Sequence, residues 1–331
     1  MFLGRHNQLP LLAIALALIF ALSLTIGAEP IPVQRLLAAA VGGGQPVDRL
    51  ILADIRLPRA ILGASVGASL GLAGAALQGL LRNPLVEPGL IGVSGGASLG
   101  AVLALYGGLA LSSSVAVPVA GFAGALAATI LLAAVAARGA RATILVLFGV
   151  ALGSLTGALT ALALNLAPSP FAILEIVFWL LGSVSDRSMA DVWLALPPMA
   201  IGWLLLLTAG RGMEALTLGE AAAQSLGLDL RRFTLRVILG TALAVGPAVA
   251  VTGTIGFVGL VVPHILRPWV GHRPGAMMGA SALGGAVLLL LADIVVRLAP
   301  TAAELKLGVV TSLIGAPYFI FLLLRRQRGA I

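Results

Sequence analysis

Hydrophobic residues in this chain form long runs, without the strict alternation that marks half-buried strands. A short basic start with Arg5 and His6 precedes an apolar run from Leu11 to Ile26. The stretch that follows is more polar and holds two short amphipathic pieces, Val33–Val41 and Val47–Ile55. Further apolar segments lie at about 60–81, 90–110, 114–136, 144–166, 191–209, 235–252, 255–270, 275–297 and 306–324. A bilayer core is crossed by about 20 apolar residues in a helix, so each run predicts a crossing. With the first run there are ten. Glycine and proline interrupt the 253–275 region most. Thr25-Ile26-Gly27-Ala28-Glu29-Pro30 carries no small-x-small cleavage pattern, so the first run is expected to be a retained helix.

Composition agrees with this pattern. Of 331 residues, 60% are apolar and 10% charged, against about 25% charged in an ordinary soluble domain. Mean hydropathy is +1.12. A soluble enzyme, a disordered chain and a nucleic-acid-binding domain are thereby excluded. The net charge of +8 reflects arginine, which in multispan proteins gathers at cytoplasmic helix ends. Ten crossings put both termini on one side, and cytoplasmic termini place thirteen of the twenty basic residues inside. Seven fall outside: Arg35, Arg49, Arg56, Arg59, Arg187, Arg297 and Lys306. The 42 glycines lie mostly within the apolar runs, where small residues let helix backbones approach closely.

Much chemistry is missing. Cysteine is absent, and His6, His264 and His272 are far apart in sequence, so no metal site is expected. The only lysine, Lys306, lies in Glu304-Leu305-Lys306-Leu307, which excludes a P-loop. An ion-coupled carrier needs ionisable groups at mid-depth; the deepest candidate, Asp293, has Arg297 four residues on and reads as a helix-end pair. A membrane enzyme would need a catalytic constellation that the spans do not offer. His264 directly follows Pro263, which reads as a kink at a helix end.

Several longer motifs carry a resemblance. Arg56-Leu57-Pro58-Arg59 opens a small-residue helix that ends Leu77-Gln78-Gly79-Leu80-Leu81. Arg82-Asn83-Pro84-Leu85-Val86-Glu87-Pro88-Gly89-Leu90-Ile91-Gly92 follows, and Gly253-Thr254-Ile255-Gly256-Phe257-Val258-Gly259, Leu291-Ala292-Asp293 and Leu313-Ile314-Gly315-Ala316-Pro317 come later in order. Across roughly residues 50–325 the chain resembles the FecCD family, permease subunits of ABC importers for ferric siderophores, haem and vitamin B12.

The resemblance implies an all-α polytopic membrane protein with ten transmembrane helices in a vitamin B12 permease-like bundle, one permease domain over residues 1–331. It implies a homodimer in the bacterial inner membrane, two cytoplasmic ATPase subunits that bind the ATP and magnesium, and a periplasmic substrate-binding protein. No cofactor, metal or nucleic acid is expected on this chain. Asn83 and Leu85, with Ala142 and Thr143, match the cytoplasmic gate of similar permeases, although Ala142 is smaller and less polar than usual. Arg56, Arg59 and Arg297 match residues that meet acids of the binding protein. The loop at about 211–236 matches the element that docks on the ATPase, through Thr217, Leu218, Gly219, Glu220, Ala221, Gln224, Ser225, Leu226 and Gly227.

The residues of that loop give their own reading. Thr217-Leu218-Gly219-Glu220 has the spacing of a capping box, predicting a short helix Leu218–Leu226 closed by Gly227. Asp229 suits the N-cap of a second short helix. In the fifth run Gly149, Gly153, Ser154, Thr156 and Gly157 form a small, mildly polar stripe that suits either a path lining or a packing face. Family frequency favours an iron chelate as cargo, haem slightly ahead of ferric siderophore, with vitamin B12 as the alternative. Lys306 stands where relatives often have proline.

Overall fold

A backbone in lipid must satisfy its own hydrogen bonds, so long apolar runs can cross only as helices when no sheet closes around them. A computed structural model describes residues 8–27, 31–109, 113–271, 273–301 and 303–328. Arg5, His6 and His272 lie outside the described residues, as do the side chains of Arg325, Arg326 and Arg328. The helices are α1 (Gln8–Thr25), α2 (Val33–Ala40), α3 (Pro46–Leu50), α4 (Leu57–Leu80), α5 (Val93–Tyr106), α6 (Ala116–Ala137), α7 (Ala142–Asn165) and α8 (Pro170–Leu180). After them come α9 (Met189–Leu207), α10 (Gly210–Leu216), α11 (Glu220–Ser225), α12 (Leu230–Thr252), α13 (Val258–Val270), α14 (Pro274–Leu298) and α15 (Leu307–Arg328). A π-helical stretch, Ile51–Arg56, joins α3 to α4, and a single 3₁₀ turn, Pro88–Ile91, precedes α5.

Seven of these segments among the described residues are long and apolar enough to cross a membrane. They are α1, the continuous Pro46–Leu80 stretch, α6, α7, α9, α12 and α14. Three expected crossings are shorter as apolar helices: Val93–Tyr106, Val258–Val270 and Leu307–Phe321. The first two begin late for a local reason. Gly92 at φ +83° and Phe257 at φ +66° are left-handed breaks from which α5 and α13 start. Pro263 lies inside α13 and not at its end. The sequence reading assigned no apolar segment to 170–180, yet α8 forms there. Ser169 caps it by accepting from Ala172 N at 3.2 Å, and Pro170 takes the first position, where its missing N–H costs nothing.

Packing follows the glycines. α4 lies against α14 and α13 with backbone touching backbone. A methyl group on Gly67 would sit 2.3 Å from Gly285 O, on Gly71 2.0 Å from Ser281 O, and on Gly74 2.0 Å from Gly259 O. α5 and α6 meet in the same way, since a methyl group on Gly100 would sit 2.1 Å from Ala120 O. α9 joins α4 through Trp203 Nε1, which donates to Ser69 Oγ at 2.7 Å. α7 is different. Gly149 packs on Leu90 O and Thr156 is buried, but around Gly153 and Gly157 nothing lies within 4 Å of an added methyl group. The small-residue stripe therefore divides into a packed edge and an open face.

The contrast is testable. Gly71→Val should abolish recovery of folded protein in detergent, because overpacking a core costs about 1–3 kcal/mol and here the neighbour is unyielding backbone. Gly153→Ala should leave the thermal melting temperature unchanged. Equal melting of both variants would contradict this packing.

Candidate functional site

The two ends of the bundle carry its polar chemistry. At the first end, α1 finishes with carbonyls that have no intrahelical partner. Arg56 Nη1 donates to Leu24 O at 2.7 Å and Thr25 O at 2.9 Å. Arg297 Nη1 donates to Ser23 O and Ile26 O, each at 2.8 Å. Cations suit this place because the helix dipole is negative there. Asp293, fully buried in α14, accepts on Oδ1 from Arg59 Nε at 3.0 Å and Nη2 at 2.7 Å. It also pairs with Arg297, the partner expected from the i, i+4 spacing. Arg59 reaches on to Glu304, which accepts a further bond from Ser185 Oγ at 2.6 Å. Two guanidinium groups and two carboxylates thus tie α1, α4, α14 and the loop before α15 together.

Burial alone would push the Glu304 carboxyl up. The hydrogen bonds from Arg59 and Ser185, with the charges of Arg59 and Arg297, outweigh it and hold the group below the usual carboxylate range. Arg56, Arg59 and Arg297 are brought together as the sequence suggested, but as internal ties. Arg56 is 4% exposed, and the Arg59 and Arg297 side chains are 11% and 6% exposed. Lys306 lies elsewhere at this end, its ammonium 5.6 Å from the centre of the Phe178 ring.

At the opposite end α4 stops in a tight turn, with Arg82 at φ +50°. Asn83 Oδ1 accepts from Leu85 N at 3.0 Å, the Asx geometry expected of an Asn-Pro turn. Gln78, buried one turn earlier, holds this turn from behind. Its Nε2 donates to Val86 O and Gly259 O, both at 3.3 Å, and its Oε1 accepts from Arg267 Nη2 at 3.0 Å. Glu87 accepts from Phe257 N at 3.1 Å, fastening the turn to the start of α13. Leu85 is left exposed at the tip. Gln78 and Glu87 stand within the motifs of the sequence analysis but were given no role there; a glutamine inside an apolar helix is the signal that could have marked the first.

Ala142 and Thr143 open α7 at the same end. Ala142 borders a cavity of about 360 Å³ shared with Leu80, Leu81, Arg141, Glu220 and Gln224. Asn83, Leu85 and Thr143 are not among its lining. The cavity places the gate candidate Ala142 beside the α11 loop.

That loop departs from the expected capping box. α10 runs to Leu216, and Thr217 continues it in helical conformation, donating its hydroxyl to Glu214 O at 2.7 Å. Gly219, at φ +101°, becomes the residue before α11, which spans Glu220–Ser225 and not Leu218–Leu226. The positive φ reverses the chain, something threonine cannot do cheaply. Gly227 does follow α11, at φ +89°. Asp229 does cap, accepting from Arg232 N at 3.0 Å, but it starts the long α12 and no second short helix. The result is a knob with Ala223 buried beneath it and Leu218 and Leu226 each 67% exposed.

Two outcomes follow from these geometries. Asp293→Ala should destabilise the protein by about 3–5 kcal/mol, because it removes the carboxylate shared by two buried guanidinium groups; thermal melting checks it. Gln78→Leu should loosen the turn without unfolding the bundle, raising amide exchange over residues 82–87 about tenfold or more. Unchanged exchange would show that Gln78 does not hold it.

The FecCD transport family model matches residues 15–325. The "Uncharacterized ABC transporter permease protein YvrB" of Bacillus subtilis is 40% identical over 95% of this chain and 92% of its own length. The vitamin B12 import system permease protein BtuC of Vibrio cholerae is 43% identical over 85% of each chain. A solved structure, described as an inward-facing conformation of a metal-chelate type ABC transporter, superposes with a TM-score of 0.86 at 30% identity. That superposition covers 96% of this chain and 98% of the other. With its helical membrane architecture and these matches along nearly its whole length, the chain belongs to the FecCD transport family of ABC importer permeases.

Proposed function

We propose that the chain is the passage-forming subunit of a homodimeric importer that moves a bulky metal chelate from the periplasm to the cytoplasm. The observation that carries this reading is the open face of α7. A methyl group added to Gly153 or Gly157 would meet nothing within 4 Å, and Ser154 and Leu155 are exposed beside them. Such a face, smooth and without strong ligands, suits a path completed by a second copy.

In this reading the chain is one permease domain with ten crossings. α5, α13 and α15 cross too, because the irregular segments ahead of α5 and α13 are buried in protein where lipid cannot reach them. The end with Arg59 and Asp293 faces the periplasm, and the α10–α11 knob faces the cytoplasm with both termini, in the bacterial inner membrane. Two separate ATPase subunits bind ATP and magnesium, since no P-loop exists here. They grip the knob through exposed Leu218 and Leu226. Their closure moves α10, whose Met213 sulfur lies 3.0 Å from where a methyl group on Gly79 would sit, next to Gln78 and the gate turn. Asn83 and Leu85, with Ala142 and Thr143, then bar or open the cytoplasmic exit. A periplasmic binding protein delivers cargo at the other end, steered by the field of Arg56, Arg59 and Arg297. The lipid bilayer and these proteins are the partners; no nucleic acid is involved.

Relatives named as vitamin B12 permeases favour cobalamin as the chelate. An iron chelate, haem or a ferric siderophore, is the second reading, supported by the metal-chelate description of the structural relative. One reconstitution tests the whole. Proteoliposomes with the permease, its ATPase and its binding protein should import the chelate only with ATP, and the loaded binding protein should show a corrin spectrum. Replacing Leu218 and Leu226 with Asp should cut transport-coupled ATPase activity about tenfold or more while melting is retained. Transport without the ATPase would overturn the importer reading.

A further inference from the structure

A chain that crosses a bilayer meets hydrocarbon, head groups and water at fixed depths, and α4 shows where they fall. From Arg59 to Leu80 it rises about 32 Å at ~1.5 Å per residue, close to the ~30 Å of a hydrocarbon core. Arg59 belongs to the ionic cluster at one boundary, so Leu80 and Leu81 mark the other. The cavity of about 360 Å³ that these two leucines border therefore lies at head-group depth. Around it α4 and α6 end, and α7 and α12 begin. Its volume falls among ligand pockets of about 300–1,000 Å³.

The lining has two kinds of surface. Leu81, Ala136, Leu145 and Leu216 give an apolar wall, while Arg141, Arg231, Glu220 and Thr234 supply polar groups. The three charged side chains take part in no ion pair among the described residues. Anchoring at a helix end explains an exposed arginine such as Arg138. It does not explain two cations and an acid around one apolar-walled hollow. Two guanidinium forks match a phosphodiester, whose oxygens take paired N–H bonds. The Glu220 carboxylate matches an ammonium carried by the same ligand. The apolar wall matches the glycerol and first methylenes behind a phosphate. On the outer face of α6 exposed Ala127, Ile130, Leu131 and Ala134 form one stripe that runs towards the cavity, where acyl chains lie naturally.

We propose that this cavity binds the head of an amine-bearing phospholipid, with its phosphate on Arg141 and Arg231 and its ammonium on Glu220. The site needs only a chain that crosses a membrane, so it stands apart from the importer reading and from the cargo. Water-soluble phosphoesters carry the same polar chemistry, but the apolar wall and the α6 stripe give them no use for half of the surface. At this depth lipid heads already stand at the cavity mouth, and basic pockets between helix ends hold them by charge. A bound head touches the α6–α7 loop, α11 and α12 at once, and so braces the knob against the start of α7.

The full chain, stripped of lipid in detergent, is titrated with dioleoylphosphatidylethanolamine and followed by native mass spectrometry and thermal melting. Wild type should retain the lipid and melt at a higher temperature with it, since a ligand that binds only the folded state stabilises that state. Arg141→Gln combined with Arg231→Gln should raise Kd about tenfold or more. Arg138→Gln, which changes an exposed arginine outside the cavity, should leave Kd unchanged. Thr234→Phe keeps both arginines, fills the cavity from its wall and should also lose the lipid. Glu220→Gln should erase the preference for phosphatidylethanolamine over phosphatidylglycerol. Soluble phosphoethanolamine at the same concentration should neither bind nor compete. Equal weakening by Arg138→Gln and by the double variant overturns the site, because general surface charge then holds the lipid. Wild-type affinity in the double variant or in Thr234→Phe overturns it as well, as does wild type that retains no lipid. Saturation by phosphoethanolamine alone overturns the lipid as occupant.

Discussion

The contact of α4 on α14 is the constraint on which the remaining structure depends. Lipid gives apolar side chains no reason to leave it, so two helices in a membrane are held by close packing and by polar groups. Here both operate along one seam. At Gly67, Gly71 and Gly285 the backbones meet with no room for a methyl group. At the end of the seam Asp293 is bound by Arg59 from α4 and Arg297 from its own helix. The glycines set the distance and the ions set the register. Sliding α14 by one turn would move a carboxylate away from two buried cations, a cost in low dielectric that packing elsewhere could not offset.

From this seam the other elements take their places. Arg297 and Arg56 reach back to the carbonyls at the end of α1, so the ionic cluster also positions the first helix. Glu304 and Ser185 bring in the loops before α15 and α9. At the far end Gly74 against Gly259 extends the seam to α13, and Gln78 uses that closeness to hold the Asn83–Glu87 turn. A rigid seam with a clamped turn at one end and a charged rim at the other suits a passage whose two ends answer to different partners. The open face of α7 is where the chain leaves packing unfinished.

Legibility in the sequence followed the range of the interaction. Long runs such as 114–136 and 144–166 matched α6 and α7 to within a few residues, because apolar length alone decides them. The Asp229 cap was also readable, being a contact across three residues. The Thr217–Glu220 box was not, although its spacing was right, because α10 ran through Thr217 and Gly219 made the turn. Helix α8 was not assigned from the sequence, although the serine and proline ahead of it start it. Arg56, Arg59 and Arg297 were recognised as a group and the Asp293–Arg297 pair was readable from its spacing, yet the acceptors of Arg56 and Arg59 were hidden: Asp293 is 234 positions from Arg59.

By itself the sequence determined an all-helical membrane permease, its approximate helices, its lack of a P-loop and its family. Each of these depends on local composition or on contiguous motifs. Only the tertiary structure decided which arginines are internal ties, which part of the glycine stripe packs and which stays open, and what holds the Asn83–Glu87 turn. Those outcomes depend on acceptors and backbones brought from distant parts of the chain. A guanidinium looks the same in sequence whether or not a carboxylate waits across the bundle, and only folding puts one there.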